Sequence, residues 1–135
     1  MRTTPVDEIL VETTIIIRHF RTSQKQISLL RRAEHKYDKL YFSTMTIYEI
    51  ELGAARAGRT SDLDVILPLM EVLEIDRRVA EQAAQLHSLL ISRNQDIGIK
   101  DIFIAATCLV HSLPILTYNV NHFSRVPGLS IIPLF

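Results

Sequence analysis

Three carboxylates and one amide stand out in this chain for the chemistry they can do together. Glu12 interrupts ILVETTIIIRHF, residues 9 to 20, a run of aliphatic and β-branched side chains. Such a run reads as a buried strand, where an unpaired carboxylate is expensive to keep ionised. Glu49 lies in STMTIYEIELGA, Asp101 in GIKDIFIAATCLVH and Asn119 in LTYNVNHF. Carboxylates brought together repel, and at least one has its pKa raised unless a cation sits among them. A hard divalent ion, Mg2+ or Mn2+, takes such oxygen ligands, keeps several waters, and bridges a phosphodiester while activating a water. Metal-dependent phosphodiester hydrolysis is the reaction a cluster of this kind would serve.

Taken singly, each residue also has a plain structural role. Glu12 can accept backbone bonds at a strand end, and Glu49 can be an exposed helix acid. Asp101 can be an N-cap and Asn119 a turn residue. The joint reading depends on whether the chain brings them to one place.

The elements that would do so are legible as alternating patterns. Candidate strands are ILVET (9 to 13), KLYFS (39 to 43), EVLEI (71 to 75), PILTY (114 to 118) and LSIIPL (129 to 134). Between them, QISLLRRAEHKY, TIYEIELGAARAG, SDLDVILPLM, RRVAEQAAQLHSLLISRN and KDIFIAATCLVHS carry apolar residues at helical spacing. Strand and helix in alternation predict an α/β fold, a parallel sheet of about four or five strands with helices on both faces. No repeat, linker or low-complexity segment divides it, so residues 1 to 135 are expected to form one domain. In open parallel sheets ligand sites form beyond the carboxyl ends of the strands. Glu12, Glu49, Asp101 and Asn119 come from four separate β/α units, and that end is where they can meet.

Composition fits this architecture. An apolar share of 47%, a charged share of 22%, four Gly and five Pro suit a compact domain. A chain of this length buries roughly 65 to 70% of the surface exposed when unfolded. The formal net charge of zero argues neither for nor against a nucleic-acid partner. The single Cys108, in the apolar IAATCLV, has no second Cys to pair with and suits a cytoplasmic chain. MRTTPVDEIL has no uninterrupted apolar h-region, and no segment approaches 18 consecutive apolar residues, so the chain reads as neither secreted nor membrane-spanning.

The segments ILVETTIII, STMTIYEIELGA and DIFIAATCLVHSLPILTYNVNHFSRVPGL, in that order, resemble a PIN-domain ribonuclease, specifically the VapC-type toxins of prokaryotic toxin-antitoxin pairs. The resemblance runs from about Ile9 to Leu134. Its most specific part is an acid followed by the IAA helix, a strand, and T-x-N-x-x-H-F-x-x-V-P-G-L. It implies a PIN-like parallel sheet flanked by helices, a Mg2+-dependent endoribonuclease acting on RNA, a homodimer, and inhibition by a cognate antitoxin. It implies Glu12, Glu49, Asp101 and Asn119 as the catalytic, metal-holding set, with Thr13 or Thr14 as a small hydroxyl residue nearby.

Two residues depart from that family's pattern. Glu12 stands where the family has Asp, and its extra methylene moves the carboxylate outward by roughly a bond length; a misplacement of about 1 Å can cost on the order of a hundredfold in rate. Arg18, in IIIRHF, stands where many relatives carry an acidic or neutral residue. It would contact RNA phosphate, or pair with Glu12 or another acid in place of a cation. These departures imply an alternative: a catalytically weakened PIN module that still binds its antitoxin.

Other features carry less. GAARAGRT, residues 53 to 60, approaches the phosphate-loop pattern, but helix-forming AARA joins its glycines, and Gly58 reads as the end of a helix. A phosphate-receiving regulatory domain needs paired acids at the first strand and a Lys after a late strand, and neither is present. His111 and His122 lack zinc-ligand spacing and read as capping or surface residues. Arg31, Arg32, Lys36 and Lys39, with Lys25, read as a solvated basic face, and Ile27, Leu29 and Leu30 as a candidate dimer or antitoxin surface.

Overall fold

The protein is described from a computed structural model over residues 7–135, so the reading of MRTTPV lies outside the described residues. Four strands form one sheet: β1 (Glu8–Val11), β2 (Lys39–Ser43), β3 (Glu71–Leu73) and β4 (Ile115–Leu116). Their order is β3-β2-β1-β4 and every pairing is parallel. Seven α-helical segments accompany them among the described residues: α1 (Thr13–Arg21), α2 (Leu29–Lys36), α3 (Thr44–Ala57), α4 (Leu63–Ile66), α5 (Arg77–Ser92), α6 (Ile99–His111) and α7 (Val120–Phe123).

The two-residue period of β1 divides the core. Ile9 and Val11 face a cluster built with Ile15 and Ile16 of α1, Leu30 of α2, Phe42 and Ile66. Leu10 points the other way, into a cluster with Val79, Leu86 and Leu90 of α5, Ile102 and Ala105 of α6, and Phe123. Both faces of the sheet are thus covered, as a parallel sheet requires. The chain steps outward from β1 through β2 to β3, then returns over the opposite face by α5 and α6 to place β4 on the far side of β1. The reversal lies between β1 and β4, which is the position where open α/β sheets form their ligand crevice.

Two strand readings are corrected. The first strand, expected over 9 to 13, stops at Val11, and the aliphatic run after it, which read as buried strand, is helix over Thr13–Arg21. Its buried positions, Ile15, Ile16 and His19, share one helical face while Arg18 and Arg21 are exposed. The β-branched triplet favours a strand locally, but burial of that face overrides propensity. LSIIPL is no strand: Ile131 makes a single bridge to Ile115. Gly128, at φ 81°, bends the chain in and Pro133 removes a donor, and the contact is limited to the Ile115 N–H bond to the Ser130 carbonyl and the Ile132 N–H bond to the Ile115 carbonyl.

The basic group is mostly engaged. Arg31 bonds Glu34, Lys39 pairs with Glu71, Arg32 donates to the Phe135 carbonyl, and Lys36 lies over the Phe135 ring. Leu29 and Leu30 are core rather than surface, and only Ile27 of that trio is exposed. Gly58 ends α3 in the left-handed region, at φ 67°, as its place in GAARAGRT suggests. No helix among the described residues is long and apolar enough to cross a membrane.

Candidate active site

Glu12 follows the last residue of β1 and caps α1 with extended backbone; its N–H donates to the Leu116 carbonyl of β4 at 3.0 Å. The side chain is 3% exposed. Its Oε1 accepts from the Thr14 hydroxyl at 2.6 Å and the Thr117 hydroxyl at 2.5 Å. Burial holds the carboxyl above the ordinary carboxylate range; the bonds from Thr117 and Thr14 oppose that rise, and the charge of Asp101 adds to it.

The same two hydroxyls tie β1 to the segment after β4. Thr14 Oγ1 accepts the Tyr118 N–H at 3.1 Å, and Thr117 Oγ1 accepts the Asn119 N–H at 2.8 Å. Each threonine therefore spends its one proton on Glu12 and its lone pairs on the β4 loop.

Glu49 sits in the second turn of α3, and its Oε1 accepts from Thr13 Oγ1 at 2.7 Å. Thr13 has then used its proton, so the buried Thr46 hydroxyl, 2.8 Å away, donates to it. Lys100 Nζ lies 3.8 Å from the other Glu49 oxygen. Burial raises the Glu49 pKa against the Thr13 bond and the Lys100 charge, with Asp101 pushing the same way as burial. Glu51 is exposed on another side of α3.

Asp101 is the third residue of α6, not its N-cap; that place belongs to Gly98, whose φ of 89° admits the turn. Asp101 Oδ2 accepts from Asn119 Nδ2 at 3.2 Å and lies 2.8 Å from His122 Nδ1. So short an approach to a carboxylate puts the proton on Nδ1. Asn119 Nδ2, 3.0 Å from that ring nitrogen, therefore gives its hydrogen to Asp101. Asn119 occupies the N-cap position of α7 without capping it, its side chain being turned to Asp101.

The four residues singled out from sequence are thus joined by one network. Asn119 bonds Asp101 directly, Thr117 links Asn119 to Glu12, and Thr13 beside Glu12 holds Glu49. In charge, Asp101 acts on both glutamates. Each carboxylate nevertheless faces a protein partner, and among the described residues no three of His, Cys, Asp or Glu are gathered as metal ligands. The donors are hard oxygens, two of them on carboxyls that burial disfavours as anions, and a divalent cation suits that donor chemistry.

Sequence reasoning missed three members. His122 is not a surface residue by function: it holds Asp101, and its place in the N-x-x-H stretch after β4 was the available signal. Thr117 and Lys100, flanking Tyr118 and Asp101 in the chain, carry no sequence signal of their own. Among the described residues Arg18 pairs with no acid; its guanidinium lies 4.3 Å over the Tyr118 ring.

Comparison with known proteins agrees with this architecture. The chain is 25% identical over 131 residues to the ribonuclease VapC of Rickettsia bellii, covering 92% of this chain and 94% of that protein. It is 28% identical over 126 residues to the tRNA(fMet)-specific endonuclease VapC of Shigella flexneri, covering 90% and 94%. The DNA-bound VapBC structure from Salmonella typhimurium superposes with a TM-score of 0.80 at 22% identity, over 93% of this chain and 96% of that one. The PIN domain family matches residues 9–129, and the chain belongs to that family.

Proposed function

We propose that this chain is the endoribonuclease toxin of a toxin-antitoxin pair, cutting RNA phosphodiester bonds with a divalent ion, Mg2+ or Mn2+, held by Glu12, Glu49, Asp101 and Asn119. The observation that carries the reading is the convergence of these residues at the β1/β4 reversal in a PIN domain whose relatives are named as ribonucleases. A bound divalent ion supplies positive charge for the phosphate and lowers the pKa of a coordinated water.

The chain's own residues have separable tasks. Glu12, deepest in the crevice, is fixed by Thr14 and Thr117. Glu49, Asp101 and Asn119 line the more open side, with His122 and Asn119 setting the orientation of the Asp101 carboxylate. Lys100, half exposed beside Glu49, neutralises part of the acidic charge and is a cation for substrate phosphate to meet. A cognate antitoxin and a second copy of the chain are the proposed protein partners; structures of relatives are described as VapBC complexes. A cytoplasmic setting follows from RNA as substrate.

RNA cleavage that is lost in EDTA and in Asp101→Ala, together with calorimetric Mg2+ or Mn2+ binding that Asp101→Ala removes, is the expected result. Cleavage that persists in EDTA overturns the reading. One observation favours a second reading, a catalytically weakened PIN module retained for antitoxin binding: Glu12 is 3% exposed and both its hydroxyl donors point at one oxygen, which keeps its carboxylate turned into the protein.

A further inference from the structure

Arg18 and Arg21 lie one turn apart on the exposed edge of α1, and neither has a carboxylate partner among the described residues. Their neighbours are the working parts of the site. Arg18, Arg21, Ile17, Thr14 and Tyr118 line one shallow groove, and Ile17 and Arg21 also line a second that reaches Glu49 and runs on to Arg59. The two grooves share Ile17 and Arg21 as a common wall. Tyr118 is bracketed in the chain by Thr117, which bonds Glu12, and Asn119, which bonds Asp101; its own N–H is held by Thr14. A ring fixed in that way cannot move far from the acids.

The guanidinium of Arg18 stacks 4.3 Å from the Tyr118 ring centroid, and Arg18 is exposed. A planar cation laid on a half-buried ring keeps its N–H fork at the groove, where it matches a phosphate, and offers a flat surface to a nucleobase. An acidic peptide would satisfy the charge, but it has no use for a stacked, flat platform. Along the grooves Arg18 and Arg21 stand on one side of Glu49, and Arg59 on the other is already paired with Asp62, so the cations open to a polyanion are those of the α1 edge.

We propose that the Arg18–Tyr118 stack, with Arg21 beside it, is a binding site for the single-stranded RNA flanking the scissile phosphodiester. The inference rests on the ribonuclease reading and adds where the strand runs. Arg18 and Arg21 bind and orient substrate; they take no part in the bond-breaking step.

The test is anisotropy of a labelled single-stranded RNA oligonucleotide with the parent chain, Arg18→Gln, Arg18→Lys and Arg21→Gln, in EDTA over a series of salt concentrations, beside cleavage kinetics in Mg2+. All three substitutions are at exposed positions of α1, so the fold is not at stake. Arg18→Gln is expected to weaken RNA binding about tenfold and to reduce the salt slope by about 0.7, the contribution of one single-strand phosphate contact. KM should rise with kcat unchanged. Arg18→Lys should regain the salt slope without regaining full affinity, because an ammonium does not stack as a guanidinium does. Parent-like RNA binding in both Gln variants overturns the proposal, and so does a loss confined to capture of an antitoxin, which would give this edge to a protein. A parent chain that binds RNA with Arg18-dependent affinity but cleaves none in Mg2+ overturns only the ribonuclease reading. A parent chain that binds no RNA overturns both.

Discussion

His122 Nδ1 stands 2.8 Å from Asp101 Oδ2, a donor from the short helix after β4 gripping an acid in the first turn of α6. Partners of this kind fix a ligand's orientation, and their loss typically weakens ion affinity by about 10- to 100-fold. His122→Ala should do so here, while stability changes by less than about 1 kcal/mol because the ring is partly exposed. Calorimetric Mn2+ titration beside a urea melt separates the two effects. Parent-like Mn2+ affinity in the variant would remove His122 from the site.

Glu12 and Glu49 make the metal-free protein sensitive to pH in an unusual direction. Burial holds both carboxyls above their ordinary value of 4.5, so the folded state binds these protons more tightly than the unfolded chain. Their stabilising contribution is complete below pH 4.5 and is lost as pH rises through the elevated folded values. Glu12→Gln keeps an acceptor for Thr14 and Thr117 without the buried charge. In EDTA at pH 7 it should melt a few degrees above the parent, and the gap should close on acidification toward pH 4. Adding Mn2+ should raise the melting temperature of the parent and leave Glu12→Gln nearly unmoved. A lower melting temperature for Glu12→Gln at pH 7 would contradict the sign.

How much of this was legible in the sequence differs by element. KLYFS was read with its exact bounds because a buried, alternating strand ends in a serine that caps the next helix; Ser43 accepts from the Met45 N–H. TTIIIRHFR was misread because three consecutive isoleucines favour extended backbone locally, while the information that overrides them, the face shared by Ile15, Ile16 and His19, exists only once α2 and the sheet are in place. Glu12 stood out because a carboxylate at a strand end is costly without a reason, and Glu49 and Asp101 were singled out as helix acids able to face the same end of the sheet. Thr117 was not, since a hydroxyl costs nothing and declares its role only through Glu12, far away in sequence; His122 was passed over although the N-x-x-H spacing to Asn119 was there to read.

Leu30 and Ile27 separate core from surface within one short region. Leu30 is wholly buried against Ile9, Ile16 and Phe42, whereas Ile27 is 57% exposed. Leu30→Arg should therefore cost more than about 4 kcal/mol, by opening a hole in the core and forcing a charge toward it. Ile27→Arg should stay within about 0.5 kcal/mol. Urea denaturation of the pair decides it, and a folded, stable Leu30→Arg would mean that the α2 face is not packed on the sheet.

Gly58 closes α3 at φ 67° with its N–H bonded to the Ala55 carbonyl, and a methyl group there would meet nothing within 4 Å. The cost of Gly58→Ala is thus backbone strain alone, about 1 kcal/mol. Thermal melts should show a small drop with cleavage unchanged. A larger loss would point to coupling between the α3 terminus and Glu49, two turns earlier.

Glu12→Asp is the change that separates an active toxin from a weakened one. The glutamate reaches both Thr14 and Thr117 through its longer arm, at 2.6 and 2.5 Å. Shortening it by one methylene withdraws the oxygen from at least one hydroxyl and leaves a carboxylate at the mouth of β1, nearer the position the family's Asp would occupy. Two consequences should follow together: tighter Mn2+ binding by calorimetry, because the acid no longer spends both strong bonds on the protein, and faster RNA cleavage at saturating substrate. A gain of about a hundredfold in rate, the scale of a 1 Å correction at a reacting centre, would make the natural Glu12 a brake on catalysis and support the partner-binding reading. Equal or slower cleavage by Glu12→Asp would instead mean that the Thr14 and Thr117 bonds set Glu12 where this enzyme needs it.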